Sequence, residues 1–371
     1  MKASPAPIEV PDSVLVPMRD RLASARMPEL LAGEEGWSLG CDREALEAVC
    51  GYWVEEHDWH LTEDRLNSLE PVAFGGVHTF ALGLDGDRTP VICLHGWPSS
   101  PLEYLDAAEK IAAAGHPCIV PSLPGFAFSD DPGSPVTVPE ISRLLRDLVS
   151  EGLGLDRYAV AGGDWGAIIA ARMVHDSAGE IVGLYVSTPA TLPAPGDFDE
   201  PPATGEEIEF ASSAQKWLKR SGHHMVLQSA VPDAISPALQ DSPAGFAAYL
   251  LEKYRRWGDC QGDLFSRFTP LTLCDWMTAQ WGPGSVASSM RLYWGERQDR
   301  WRLGKGERLE IPAAVSVWRG EPLLPPRSWT ERVLPDLRSW TEMPRGGHFA
   351  AFEEPDLYTE DLLAFLSSLQ D

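Results

Sequence analysis

The stretch G-G-D-W-G at residues 162–166 has the spacing of a sharp turn between a strand and a helix, with a reactive residue at its centre. The apolar run Y-A-V-A precedes it, and the helix-like run A-I-I-A-A-R-M-V-H follows at once. Enzymes that use this turn to cleave ordinary esters carry serine at the centre, whereas this chain carries Asp164. The stretch therefore predicts a strand–turn–helix unit that presents a carboxylate in place of a hydroxyl.

Further apolar runs on both sides of this unit predict a mostly parallel sheet. They read P-V-I-C-L-H-G, P-C-I-V-P-S-L-P-G, L-Y-V-S-T-P-A and P-A-A-V-S-V-W-R-G, and helical patterns separate them. V-H-T-F-A-L at 77–82 adds a short alternating strand. Because strands that are buried on both faces read as unbroken apolar runs, we expect helices on both faces of this sheet.

The order of these patterns divides the chain into four parts. Residues 1–75 are expected to form an N-terminal helical extension, because the pattern reads as helical from 11 to 76. The strands of 76–197 form the first part of an α/β core, and 303–371 complete it. Between them, residues 198–302 are acidic, then helical and rich in tryptophan. A helical block inserted into one sheet is typical of a cap over an active site.

Composition narrows the class of protein. The chain has 371 residues and a formal net charge of −25, so it lacks the basic surface that nucleic-acid binding requires. Six scattered cysteines form no C-x-x-C pair and no zinc-like cluster, so we expect reduced, mostly buried thiols and no metal. No run approaches the ~18 consecutive apolar residues of a membrane span. These features predict a soluble, cytoplasmic protein with no membrane or nucleic-acid partner.

Polar residues follow the predicted strands at the edge where ligands bind in open α/β sheets. Asp164, then Glu321 after A-A-V-S-V-W, then His348 before the last helix give the order nucleophile, acid, histidine of an α/β-hydrolase fold. The backbone N–H of Trp165 and that of Trp97, in H-G-W-P, are expected to form an oxyanion hole. Asp336 is an alternative to Glu321, and His95 is expected to shape its loop and not to catalyse.

A carboxylate nucleophile limits the substrate. An aspartate with an ordinary pKa near ~3.9 is ionised at neutral pH and needs no base before it attacks. It suits an sp³ carbon with a strained or good leaving group, and the product is an alkyl ester on the enzyme. His348 would then activate water, with Glu321 orienting it. Epoxides and alkyl halides remain as possible substrate classes, and of the two only an epoxide needs a proton donor, such as tyrosine, for its leaving oxygen.

Seven motifs in order resemble one family. They are H-G-W-P, S-L-P-G-F-A-F-S, G-G-D-W-G, D-S-P-A-G, E-K-Y-R-R-W, S-S-M-R-L-Y and G-G-H-F-A-A. The chain resembles α/β-hydrolase-fold epoxide hydrolases of the microsomal type, which carry an N-terminal extension, in a soluble bacterial form. The resemblance covers nearly the whole chain. It implies a small-molecule epoxide as substrate, no metal or organic cofactor, and either a biosynthetic or a detoxifying role. The oligomeric state stays open, although a homodimer is one expectation because soluble relatives are frequently dimers.

The resemblance also implies roles for individual residues. Asp164 matches the nucleophile, His348 the base, Glu321 the charge-relay acid, and Trp97 and Trp165 the oxyanion amides. Tyr293, in M-R-L-Y, matches one of two cap tyrosines that protonate the epoxide oxygen.

The second cap tyrosine of the family is missing. Where the family has S-G-Y, this chain reads S-G-H-H at 221–224, so His223 or His224 is a candidate for a second proton donor or substrate contact. Alternatively, the site works with Tyr293 alone. Tyr249 and Tyr254 are expected in the core. Some cap tryptophans are expected to line a pocket for a bulky or aromatic epoxide, such as a natural-product intermediate; the candidates are Trp217, Trp257, Trp276, Trp281 and Trp294.

Three other functions stay open at this point. A dehalogenase on the same scaffold would release halide and would have no use for Tyr293. An epoxide-opening cyclase would use an internal hydroxyl in place of water. A non-catalytic protein would bind a hydrophobic ligand without turnover, which the complete set of Asp164, Glu321 and His348 disfavours.

Overall fold

The computed structural model describes residues 2–29, 36–134, 136–192 and 201–369. Its strands are β1 (Ser4–Pro5), β2 (Val72–Phe74), β3 (Val77–Leu82), β4 (Val91–Leu94), β5 (Cys118–Pro121), β6 (Tyr158–Gly162), β7 (Ile181–Val186), β8 (Ala313–Trp318) and β9 (Leu337–Met343). In this part of the chain they form one nine-stranded sheet in the order β1-β2-β3-β5-β4-β6-β7-β8-β9.

The sheet is antiparallel at one end and parallel across its centre. β1, β2 and β3 pair antiparallel, and β3 pairs antiparallel with β5. From β5 to β9 every pairing is parallel. All residues of β4, β5, β6 and β8 are buried, which is why these strands read as unbroken apolar runs. The mostly parallel sheet confirms the predicted fold class.

Helices cover the sheet and form the cap. They are α1 (Asp12–Ala23), α2 (Arg43–Glu55), α3 (Trp59–Asn67), α4 (Leu105–Ala113), α5 (Val138–Asp147), α6 (Trp165–Asp176), α7 (Gly205–Ser221), α8 (His223–Ala230), α9 (Ser236–Asp241), α10 (Pro243–Trp257), α11 (Pro270–Trp281), α12 (Val286–Gln298), α13 (Arg327–Glu331), α14 (Ala350–Glu353) and α15 (Pro355–Ser368). Helices α7 to α12 lie between β7 and β8, where the cap was predicted. The predicted cap boundary at 197–198 lies outside the described residues.

The prediction of helix throughout 11–76 is wrong at its end. Residues 72–74 form β2, which pairs with β3 through the turn at Gly75 and Gly76. Both glycines have positive φ, 60° and 82°, a backbone region that other residues rarely adopt. A Gly-Gly pair between short apolar segments is typical of a tight hairpin turn, and the backbone hydrogen bonds of the hairpin decide the structure here. The N-terminal extension therefore joins the sheet as well as the cap.

The N-terminal extension holds the cap in place through α2 and α11. The indole N–H of Trp53, fully buried, donates a hydrogen bond of 2.9 Å to the hydroxyl of Thr278. Just after α2, His57 Nε2 lies 2.9 Å from a carboxylate oxygen of Asp275. Buried polar pairs of this kind fix the orientation of the two helices, because leaving one partner unpaired costs ~1–3 kcal/mol. The N-terminal extension thus fixes one side of the cap.

Two expectations from composition can be compared with the structure. All six cysteines are free thiols and five of them are buried, as predicted. Across the described ranges, no helix combines the length and the apolar character that crossing a bilayer requires.

Candidate active site

The turn at 162–166 places Asp164 at the carboxyl end of β6, directly before α6. Its φ of 50° and ψ of −127° lie where L-residues are rarely found, so the surrounding structure must hold it there. The glycines allow the helix to approach the sheet: a Cβ on Gly166 would lie 1.9 Å from the carbonyl oxygen of Leu94, and one on Gly162 would lie 2.5 Å from the backbone of Gly166. The motif is therefore needed for packing as well as for chemistry.

The carboxylate of Asp164 has one oxygen held by a backbone amide and one facing His348. Oδ1 accepts a hydrogen bond of 2.9 Å from the backbone N–H of Trp97, and the N–H of Trp165 also donates to the carboxylate. The backbone N–H of Asp164 donates to the hydroxyl of Thr188, a contact that the sequence did not predict. Enclosure raises the pKa of Asp164 above its usual range, while the nearby His348 and the two amides oppose that rise. The Trp97 amide thus holds Oδ1 where an oxyanion would form.

His348 lies between two carboxylates. Its Nδ1 is 2.8 Å from Oε2 of Glu321, and its Nε2 is 3.8 Å from Oδ2 of Asp164. Burial by itself lowers the pKa of His348, but the charge and hydrogen bond of Glu321, and then the charge of Asp164, raise it to about 9. Asp336, the alternative acid, has a half-exposed side chain and pairs with Arg338 at 3.4 Å. The structure therefore brings Glu321, and not Asp336, to the histidine.

Tyr293 lies on α12, close to the Asp164 carboxylate. It is 5% exposed, and its ring meets that of Trp165 edge to face with centroids 4.8 Å apart. The indole N–H of Trp165 forms a side-chain hydrogen bond with the Tyr293 hydroxyl. Burial, followed by the charge of Asp164, raises the pKa of Tyr293 well above its usual value. The phenol is therefore neutral and retains a proton to donate close to the carboxylate.

The two candidate histidines of the cap point in different directions. His224 is 3% exposed, stacks on the Trp97 ring at 5.4 Å with an interplanar angle of 8°, and lies 6.0 Å from the Tyr293 ring. Its Nδ1 is buried and makes no hydrogen bond of standard geometry with the described residues. Burial lowers the pKa of His224 to about 3, so the ring is neutral. His223 is exposed at the surface, so the structure places only His224 in the site.

His95 and Tyr254 support the H-G-W-P loop. Fully buried, His95 donates from Nδ1 to the carbonyl of Gly96 at 3.0 Å and accepts at Nε2 from the N–H of Leu123 at 3.1 Å. Burial lowers the pKa of His95 to about 4, which keeps this neutral form. The Tyr254 hydroxyl donates to the carbonyl of Pro98 at 3.1 Å. Both side chains shape the loop that carries the Trp97 amide.

Tyr249 and the cap tryptophans differ in their distance from the site. Tyr249 is half-buried 6.0 Å from Trp97, with its hydroxyl bonded to Gln228, closer to the site than expected. Trp257 lies 5.2 Å from His348 and 6.3 Å from Trp97. The others lie further out: Trp217 contacts His224, whereas Trp276, Trp281 and Trp294 pack in the cap or near its surface.

Glu103 is a second site residue that the sequence did not single out. It ends a short 3-10 turn, Pro101–Glu103, that follows the H-G-W-P loop, and it is 6% exposed. Burial raises the pKa of Glu103 to about 7. It borders a small cavity together with Asp164 and His348. The available signal was its position: an acidic residue directly after the loop that carries an oxyanion amide.

Taken together, the fold and the site define an α/β-hydrolase whose nucleophile position holds a carboxylate. That carboxylate is flanked by two amide donors, a Glu–His pair and a neutral phenol. Over the described ranges, no group of three or more His, Cys, Asp or Glu side chains is arranged to hold a metal ion.

Comparison with known proteins identifies the family. Residues 3–104 match the family described as "Epoxide hydrolase N terminus", and residues 91–361 match the "Alpha/beta hydrolase family". A protein of Stigmatella aurantiaca named "Putative epoxide hydrolase" is 32% identical over 97% of this chain and 83% of its own length. "Epoxide hydrolase 1" of Oryctolagus cuniculus is 27% identical over 99% of this chain and 89% of its own. The crystal structure of juvenile hormone epoxide hydrolase from the silkworm Bombyx mori superposes with a TM-score of 0.87 at 25% identity, covering 100% of this chain and 95% of that one.

The chain therefore belongs to the α/β-hydrolase family and, within it, to the epoxide hydrolases of the microsomal type that carry this N-terminal segment. The predicted family and the predicted enzyme class are both confirmed.

Proposed function

We propose that this enzyme opens an apolar epoxide to a vicinal diol in two steps, through an ester on Asp164. The observation that carries the proposal is the geometry of one carboxylate. Oδ1 is bound by the Trp97 amide at 2.9 Å, whereas Oδ2 faces His348 at 3.8 Å and is free to attack. The protein thus separates the oxygen that will carry negative charge from the oxygen that forms the new bond.

In the first step, Oδ2 of Asp164 attacks an epoxide carbon and the carbon–oxygen bond of the ring breaks. The leaving oxygen develops negative charge and takes the proton of the Tyr293 hydroxyl. The hydrogen bond from Trp165 stabilises the resulting phenolate. His224 is proposed as a second contact for the same oxygen, because its buried ring stacks on that of Trp97 and lies 6.0 Å from that of Tyr293.

In the second step, water attacks the ester carbonyl carbon and His348 takes its proton. In the free enzyme, the neighbouring carboxylates hold His348 protonated, with a pKa of about 9. Once Asp164 is an ester, its negative charge is gone, so the pKa of His348 falls. Nε2 then gives up its proton, which restores the Tyr293 hydroxyl, and becomes a base. Glu321 then stabilises the imidazolium that forms, and the amides of Trp97 and Trp165 bind the oxyanion.

The walls of the site favour an apolar substrate with a flat group. Trp97, Trp257, His224 and Tyr293 present rings to one another within 6.3 Å, at the carboxylate. Aromatic walls bind aromatic groups through stacked or edge-to-face contacts. We therefore propose an aryl-substituted epoxide as the substrate class.

The test uses the variant His348→Gln, which can form the ester but cannot hydrolyse it. After exposure to styrene oxide, its intact mass is expected to increase by one substrate, whereas the active wild type returns to its original mass. The control is the same variant with Asp164→Asn, whose amide is a poor nucleophile and is expected to stay unmodified. An unmodified His348→Gln spectrum, alongside an active wild type, would contradict the covalent mechanism.

A further inference from the structure

Glu103 lies buried beside the reacting groups, although neither step above uses it. Its carboxyl group makes a side-chain hydrogen bond with Ser99, and the charged groups that act on it are His348, Asp164 and Glu353. Two of these groups, Asp164 and His348, border the same small cavity as Glu103. Burial of a charged carboxyl group without a partner costs free energy, so we expect Glu103 to have either a stabilising contact or a function.

Glu353 shows what a structural buried glutamate looks like in this fold. Its two oxygens accept hydrogen bonds from the backbone N–H groups of Asp259, at 2.7 Å, and Phe349, at 3.1 Å. Those bonds tie two loops together. The hydrogen bond that Glu103 makes within the described residues is to the small hydroxyl of Ser99, which leaves further acceptor capacity on its carboxylate.

Glu103 borders a small, partly enclosed cavity beside the reacting groups. The cavity has a volume of about 10 Å³, and its polar walls are Ser99, Glu103, Asp164 and His348. A volume of ~10–15 Å³ holds one water molecule, provided that two to four polar groups surround it. This cavity meets both conditions, and it touches the carboxylate whose ester must be hydrolysed.

We infer that Glu103 is a water-positioning residue, which accepts a hydrogen bond from the water that His348 activates to hydrolyse the Asp164 ester. The inference rests on the two-step reaction proposed above. One O–H of the water gives its proton to Nε2 of His348 and the other donates to Glu103. A lone pair of the water oxygen then forms the bond to Cγ of Asp164.

The atoms balance without any change in Glu103. The tetrahedral intermediate carries its negative charge on Oδ1, and its collapse breaks the bond between Cγ and the alkyl oxygen. That oxygen takes the proton from His348 and leaves as the diol. The second proton of the water passes from the regenerated Asp164 carboxyl group back to His348. Asp164 is again a carboxylate, and one of its oxygens comes from the water.

The charges of the site confine this role to the second step. In the free enzyme, the carboxylate of Asp164 opposes ionisation of Glu103, and burial together with that charge keeps its pKa raised, at about 7. In the ester the charge of Asp164 is absent, and as His348 takes the proton of the water its positive charge favours the ionised form of Glu103. An ionised Glu103 accepts a stronger hydrogen bond from the water and stabilises the imidazolium.

The test is Glu103→Gln, which keeps the size of the side chain and removes its charge. Rapid quenching and intact mass give the rate of ester formation and the rate of ester hydrolysis separately, with styrene oxide as the probe. We expect ester formation to stay within about threefold of wild type and hydrolysis to slow by about 10- to 100-fold, as for loss of a hydrogen bond to a charged group. The enzyme should then be mostly esterified at steady state, and kcat and KM should fall together.

Glu296→Gln is the matched control, because burial raises the pKa of Glu296 to about 7 as well, while that residue is absent from the cavity walls. It is expected to leave both rates unchanged. Equal losses in both steps, or no loss of hydrolysis, in Glu103→Gln would overturn the inference. If Glu103→Gln fails to fold, Glu103→Asp replaces it in the same experiment. Its shorter side chain withdraws the charge by one methylene, which should slow ester hydrolysis and leave ester formation unchanged. A wild type that forms no ester would refute the proposed function itself, which is a different outcome.

Discussion

Replacing Glu321 by glutamine removes a charge from the site and keeps a hydrogen-bond acceptor next to His348. The carboxylate lies 2.8 Å from Nδ1 and is the main influence that opposes the effect of burial on the His348 pKa. In the variant, burial still lowers that pKa, and the charges of Asp164, at 3.8 Å, and then of Glu103 are left to raise it. We expect the pKa to fall from about 9 by roughly two units, which corresponds to ~3 kcal/mol of lost imidazolium stabilisation.

The assay has an equilibrium part and a kinetic part. The His348 pKa is measured by NMR titration of histidine-labelled enzyme, and the His348 resonance is assigned by its absence in His348→Gln. The midpoint of this titration should lie closer to neutral pH in Glu321→Gln than in the wild type. Ester hydrolysis should slow by about 10²-fold, because the histidine accepts a proton in that step. Ester formation should change far less.

Asp336→Asn is the matched control, since Asp336 is the other candidate acid and its half-exposed side chain pairs with Arg338. It should leave the titration midpoint and both rates unchanged. A Glu321→Gln enzyme that titrates like the wild type, or an Asp336→Asn enzyme that shows the same loss, would refute the assignment of Glu321 as the partner of His348.

Further variants test the proton donors and the turn. Tyr293→Phe should slow ester formation by about 10²-fold and leave hydrolysis of a preformed ester unchanged, measured by the same rapid-quench experiment. His224→Phe, which keeps the stacked ring, should slow ester formation less. A loss confined to hydrolysis in either variant would contradict the assigned role. Gly166→Ala, whose Cβ would lie 1.9 Å from a carbonyl oxygen of β4, should lower the free energy of unfolding by ~3 kcal/mol or more in urea denaturation, whereas Gly205→Ala, where the space is open, should change it by less than ~1 kcal/mol. Similar stabilities for the two variants would contradict the packing argument.

The sequence predicts those parts of the site that depend on short motifs at the ends of strands. Asp164, Trp165 and Trp97 sit on turns whose geometry the glycines and neighbouring strands determine, so their positions follow from the motif. His348 and Glu321 follow from chain order, and the structure brings them within 2.8 Å of each other. The family resemblance supplied Tyr293, which no local pattern could place close to the carboxylate.

Other features depend on packing that a local pattern does not contain. His223 and His224 are adjacent on α8, where neighbouring side chains point about 100° apart, so the orientation of the helix on the core decides which one enters the site. Glu103 reads as a surface acid at the start of a helix, and only the fold buries it. β1 and β2, of two and three residues, are too short for periodicity, and tertiary pairing creates them.

The central claim is that a covalent ester forms on one named carboxylate, and a single peptide can test it. Trypsin cleavage after Arg157 and Arg172 releases residues 158–172, in which Asp164 is the only side-chain carboxylate. After His348→Gln reacts with styrene oxide, this peptide should carry the mass of one substrate. The account is contradicted if the added mass lies on another peptide, or if no peptide carries it.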